Sequence, residues 1–133
     1  MTATSKAWAR PQTLAEVADA AASPEDFHNH LRDFLHAFKA APAREKIAVE
    51  PSVLRAKFTG GEIADAYLAA VAVELSFDLA KARPAWTRKP ERALQNPWFA
   101  AKSDELRIVL LHESPAGFRE RNLFVSENAL SVA

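Results

Sequence analysis

The chain has 133 residues, seventeen basic and seventeen acidic, and no cysteine. That length fits one domain that can bury a core without a metal or disulfide staple. Zero net charge supplies no global field toward nucleic acid or an anionic membrane, and the missing cysteines exclude disulfides, thiolate metal sites and cysteine nucleophiles.

Residues 1–12 read as a loose N-terminal arm and residues 13–133 as a single helical domain. No apolar run reaches the roughly 18 residues of a membrane span. The opening MTATSKAWARPQ has no apolar signal core, so a cytoplasmic protein is expected. Thr13-x-x-Glu16 is a capping box that starts a first helix. Ser23 caps a second, with Pro24 at its first position and Glu25 and Asp26 in its first turn; Pro42 stops it after about Ala41. Residues 43–58 read as a short helix, a break at Pro51 and another turn. Thr59-Gly60-Gly61 is the clearest interruption.

Beyond it, a helix over about 62–82 is apolar around nearly its whole circumference, which predicts a central element with neighbours on several sides. Three prolines and two tryptophans between Pro84 and Ala101 predict a packed loop with one helical turn. Ser103-Asp104-Glu105 caps the helix LRIVLLHE, in which Ile108, Val109, Leu110 and Leu111 read as plain core. Ser114-Pro115 caps a short AGFRER helix, and LFVSENALSVA reads as extended and then helical or frayed. No strand pairing is expected. The predicted fold is all-α, a compact bundle of five or six helices.

Candidate chemistry is sparse. In the stretch FHNH, His28 and His30 lie two residues apart and flank the apolar stripe Phe27, Leu31, Phe34, Leu35 and Phe38 on opposite sides. They do not converge with each other or with His36. Asp26, His30 and Asp33 share one strip that could hold a divalent ion weakly, but the favoured reading is a solvated helix edge. No metal and no cofactor are expected. Glu74 and Asp78 share a face with Lys81, which reads as a structural ion pair or interface contact. No P-loop, dinucleotide fingerprint or nucleophile elbow is present.

Lys81, Arg83, Trp86, Arg88, Lys89 and Arg92 combine basic charge with an aromatic ring, which suits phosphate contact and base stacking. A solvated loop with Trp86 in the core is the modestly favoured alternative, so a nucleic-acid partner ranks low. Arg107 and His112 form R-x4-H, which resembles the catalytic motif of HEPN ribonucleases, small helical domains. That resemblance implies an arginine stabilising phosphate charge and a histidine acting as acid or base, at a cleft shared by a dimer. Ile108 stands where that family usually has a polar residue.

Pro97-Trp98-Phe99, Ser114-Pro115, Phe118, Arg121 and the ending Leu130-Ser131-Ala133 together resemble the C-terminal region of uncharacterised actinobacterial proteins. Some of those carry an upstream helix-turn-helix and look like regulators or antitoxins. The likeness covers about the last 50 residues, the motif region 84–133. It implies a non-enzymatic protein whose expected partner is another protein, such as one encoded by a neighbouring gene. No helix-turn-helix reader is evident in this chain: the helix after Thr59-Gly60-Gly61 is too apolar for a DNA groove. Read physically, Trp98, Phe99, Phe118 and Phe124 are apolar anchors between proline-fixed turns, with Arg119 and Arg121 beside them. Aromatics with arginine serve as interface hot spots, and the same aromatics can equally close a core. Neutral charge and many alanines are compatible with a homodimer.

Overall fold

The computed structural model describes residues 10–131. Residues 1–9 of the expected arm, and Ala133 of the C-terminal motif, lie outside the described residues. Six α-helices are present among the described residues: α1 (Leu14–Ala20), α2 (Pro24–Ala40), α3 (Glu45–Ala48), α4 (Gly61–Leu79), α5 (Asp104–Glu113) and α6 (Ala116–Arg119). Two 3-10 turns, Ala85–Arg88 and Pro90–Arg92, connect α4 to the C-terminal segments. The fold is all-α in class, as the patterning predicts. No helix of the described residues is long and apolar enough to cross a membrane.

The caps form as the side chains dictate. Thr13 Oγ accepts from Glu16 N at 3.1 Å, Ser23 Oγ from Asp26 N at 3.1 Å and Ser103 Oγ from Leu106 N at 3.2 Å. Each satisfies one of the orphan donors of a helix start. Helix α2 buries Phe27, Leu31, Phe34, Leu35 and Phe38, the expected stripe. It packs against α1 and α4.

Helix α4 is the hub. Thirteen of its residues are buried, from Gly61 to Ser76, and α2, α6 and both 3-10 turns pack around it. Its alanines let those neighbours come close. Where Gly117 of α6 lies on α4, an added Cβ would sit 3.0 Å from Val73 and 2.8 Å from a Glu74 oxygen. At the other end, a Cβ on Gly61 would fall 1.9 Å from the Leu54 carbonyl oxygen, so only glycine fits under the 54–55 turn. Gly60, with φ of 87°, turns the chain into the helix.

Two expectations change here. The central helix ends at Leu79, earlier than about residue 82, because Ala80 adopts a left-handed conformation (φ 55°). The Ala80 and Lys81 amides then close the last turn onto Phe77 and Ser76. A strand pair also exists where none is expected. β1 (Trp98–Phe99) runs parallel to β2 (Leu123–Phe124), with Trp98 N bonded to Asn122 O at 2.8 Å and Ala100 N to Phe124 O at 3.0 Å. Two residues per strand leave no period-2 pattern to read.

Candidate interaction surface

The motif aromatics divide between interior and surface. Phe118 is fully buried, edge-on to Tyr67 with centroids 4.9 Å apart. Phe124 is buried and stacks on half-buried Phe99 at 4.9 Å and 19°. Arg121 is also buried. It donates to Gly117 O at 2.9 Å, to Thr87 O at 2.7 Å and to the Glu120 carboxylate, which ties α6 to the first 3-10 turn. Burial acts to raise the Glu120 pKa, but the hydrogen bonds from Arg121 and Arg83 outweigh it and leave the carboxyl below its ordinary value. Phe118, Phe124 and Arg121 therefore lie in the core that holds the domain together. Their spacing resembles an exposed hot spot only because core and interface draw on the same residue types.

The basic segment divides in the same way. Arg92 is fully buried between Asp65, Glu50 and the Pro51 carbonyl, with its guanidinium 5.0 Å from the Trp86 ring centroid. Trp86 itself is in the core and donates its indole N–H to Ile47 O at 3.2 Å. Lys89 pairs with Glu50 at 2.7 Å and Arg83 with Glu120 at 2.6 Å. Lys81 and Arg88 are exposed. The stacking ring and the central cation are thus removed from the proposed nucleic-acid face. Hydrogen bonding to Lys89, the larger favourable influence, and to Arg92 holds the Glu50 carboxyl below its ordinary value against a smaller desolvation effect.

Asp65 carries a role the patterning missed. It is fully buried in α4, accepts from Leu54 N at 2.6 Å and from Arg55 Nε at 3.0 Å, and lies 3.8 Å from Arg92. A carboxylate flanked by the apolar residues of the 63–73 stretch was the available signal, since a buried charge needs partners. Glu74 likewise takes an unexpected partner. It accepts the Gly117 N–H at 2.8 Å, and no ion pair joins it or Asp78 to Lys81. Asp26 pairs with His30 at 3.2 Å, and the described residues hold no group of three His, Asp or Glu side chains arranged for a metal.

Arg107 and His112 do not converge. Arg107 lies over the Phe99 ring at 5.7 Å and donates to Ala101 O at 3.3 Å, while His112 is exposed near the far end of α5. Five residues apart on a helix, they point about 140° apart. Arg107 instead borders an open cleft of about 980 Å³ that His28, Tyr67, Trp98 and Phe99 also line. Burial lowers the His28 pKa and pushes the Tyr67 phenol up to about 12, so both are neutral near pH 7.

The largest departure from expectation is α5 itself. Ile108, Val109 and Leu111 read as core, yet they are 57%, 46% and 45% exposed, and Leu106 is 56% exposed. Only Leu110 is buried, and the helix rests chiefly on β2. Ile108, Leu111 and Val109 look outward, with Ile108 and Leu111 within about 60° of each other on the wheel. The helix is nevertheless held firmly. Ser114 at its end accepts from Val125 N at 3.2 Å and donates to Leu123 O at 3.1 Å. Arg119 donates to the Ser114 carbonyl at 2.7 Å and to that of His112 at 3.4 Å. An anchored helix that leaves several large apolar side chains in water is unusual for a surface element of a small domain. Compared with protein-family models, with curated proteins and with solved structures, the chain finds no match in any of the three.

Proposed function

We propose that the protein is a non-enzymatic interaction module that docks on another protein chain through the outer face of α5. The single observation behind this is the exposure of Leu106, Ile108, Val109 and Leu111 on one anchored ten-residue helix. Other exposed apolar residues are scattered; Val49 and Val53 lie in a loop, and Phe77 sits under Arg83 at 5.9 Å. Single exposed residues are ordinary on a protein surface, whereas four on one ten-residue helix, with Ile108 and Leu111 adjacent on its wheel, favour a contact there. Arg119, at the end of α6, remains exposed, and its guanidinium reaches the His112 and Ser114 carbonyls at the C-terminal end of α5. A regulatory or antitoxin-like role is carried by the C-terminal motif resemblance alone.

A photo-crosslinking side chain at position 108, in protein expressed in its source cells, tests the reading. The expected result is one discrete adduct, lost when Leu111→Lys is added, with no adduct from Arg44, an exposed position before α3. Equal labelling from positions 108 and 44, or none from 108, overturns it.

A further inference from the structure

We propose that the cleft bordered by α2, α4, β1 and the start of α5 binds a small aromatic carboxylate. Its ring would lie against Trp98 and Phe99, Arg107 would receive its carboxylate, and the Tyr67 hydroxyl would donate to a ligand oxygen. The inference goes beyond the docking role of α5 and does not rest on it.

Tyr67 gives the first reason. It is only 8% exposed, and Phe27, His28 and Phe118 hold its ring edge-on at centroid distances of 6.1, 5.7 and 4.9 Å. Its hydroxyl nevertheless makes no hydrogen bond among the described residues. Phenylalanine would fill the same place without a polar atom to satisfy. Tyr67 lines the cleft, so a ligand oxygen there can supply the missing partner from a fixed direction.

Charge gives the second. The Arg107 guanidinium lies over Phe99 at 5.7 Å, and its Nε donates to Ala101 O at 3.3 Å. Those contacts steady the group, while its two terminal nitrogens make no hydrogen bond among the described residues. Asp104 stands 3.7 Å from one of them, but its side chain is 95% exposed, which makes it a loose partner. A planar guanidinium with its fork open matches a carboxylate. Lys102, exposed on the same rim, adds a second cation. No carboxylate of the described residues lines the cleft; Asp104, Glu105 and Glu127, close in sequence to its rim, stay outside it.

Size and walls set the class of ligand. The volume of about 980 Å³ falls in the range of small-molecule sites, roughly 300–1,000 Å³. Trp98 and Phe99 supply flat apolar walls with Pro97 and Val125 beside them. Walls of that kind suit an aromatic body, with the cations gathered at the Lys102 and Arg107 side.

NMR titration of the isotope-labelled full chain with naphthoate decides it. Saturable shifts at Tyr67, Trp98, Phe99 and Arg107 are expected, with a Kd on the order of 0.1–1 mM. Naphthamide, the same ring without the charge, should bind about tenfold more weakly. Arg107→Gln should weaken naphthoate about tenfold and leave naphthamide unchanged. Tyr67→Phe should weaken naphthoate roughly threefold or more, while the melting temperature holds or rises because an unpaired hydroxyl is gone. Shifts that fail to saturate or that map away from the cleft overturn the proposal. So does equal binding of acid and amide, or wild-type affinity in both variants.

Discussion

Helices α4 and α5 are built from similar apolar residues and have opposite fates. In α4, the run from Ala64 to Val73 is buried on every side. In α5, the run Ile108-Val109-Leu110-Leu111 buries one residue and leaves three in water. The difference lies in what surrounds them. Around α4, alanines and Gly117 permit close approach, and two buried arginines lock its neighbours down: Arg92 joins α4 to the 50–51 loop, and Arg121 joins α6 to Thr87. Around α5, among the described residues, the support is β2, Phe99 and Ala101 under Arg107, and the corner at Ser114. Hydrophobicity along a helix shows that a face is costly in water, but not whether the cover comes from the same chain.

Breaking the α4 side should have the largest effect. Arg92→Ala leaves Asp65 buried with less compensation, and should lower unfolding free energy by about 3–5 kcal/mol in urea titrations. A loss below about 1 kcal/mol would show that the arginine is dispensable. Leu68→Ala, at a fully buried position on α4, should cost about 2–5 kcal/mol in the same assay.

The next effect is smaller and depends on pH. The folded pKa of Glu50 is depressed by Lys89 and Arg92, so its stabilising contribution is full above the unfolded value near 4.5 and fades as pH falls through the folded value. Glu50→Gln should therefore lower the melting temperature at pH 7, and the gap to wild type should close as pH drops below about 4.5. A gap that is constant with pH would mean the carboxylate charge is not the source.

The smallest effect sharpens the contrast from the other side. Ile108→Ser on α5 should change the stability of the monomer by no more than about 0.5 kcal/mol, measured by dilute tryptophan fluorescence. A loss comparable to that of Leu68→Ala would show that α5 belongs to the core.

Local signals made much of this architecture legible. Thr13, Ser23 and Ser103 cap where their chemistry says they should, and α4 is central because its apolar residues leave no polar face to set in water. The site was less legible. Among the described residues no segment covers Ile108 and Leu111, which periodicity does not encode. Phe118 and Arg121 carry the composition of an interface and the position of a core. The Asp65–Arg92 contact joins residues 27 positions apart and has no local signature beyond an acid set among the apolar residues of α4.

The cover of α4 has a consequence for synthesis. On the N-terminal side α2 and the 54–55 turn pack against it; α6 and both 3-10 turns are encoded after it. As the chain leaves the ribosome, the most apolar helix emerges well before the segments that shield it. Native packing on the α6 side must wait until Phe118 and Arg121 are available, so release of a chain stopped between Leu79 and Pro115 would leave that side of the helix bare. Chains truncated there should bind chaperones and aggregate, whereas ribosome-bound chains extended past Val125 should gain protease resistance in one step.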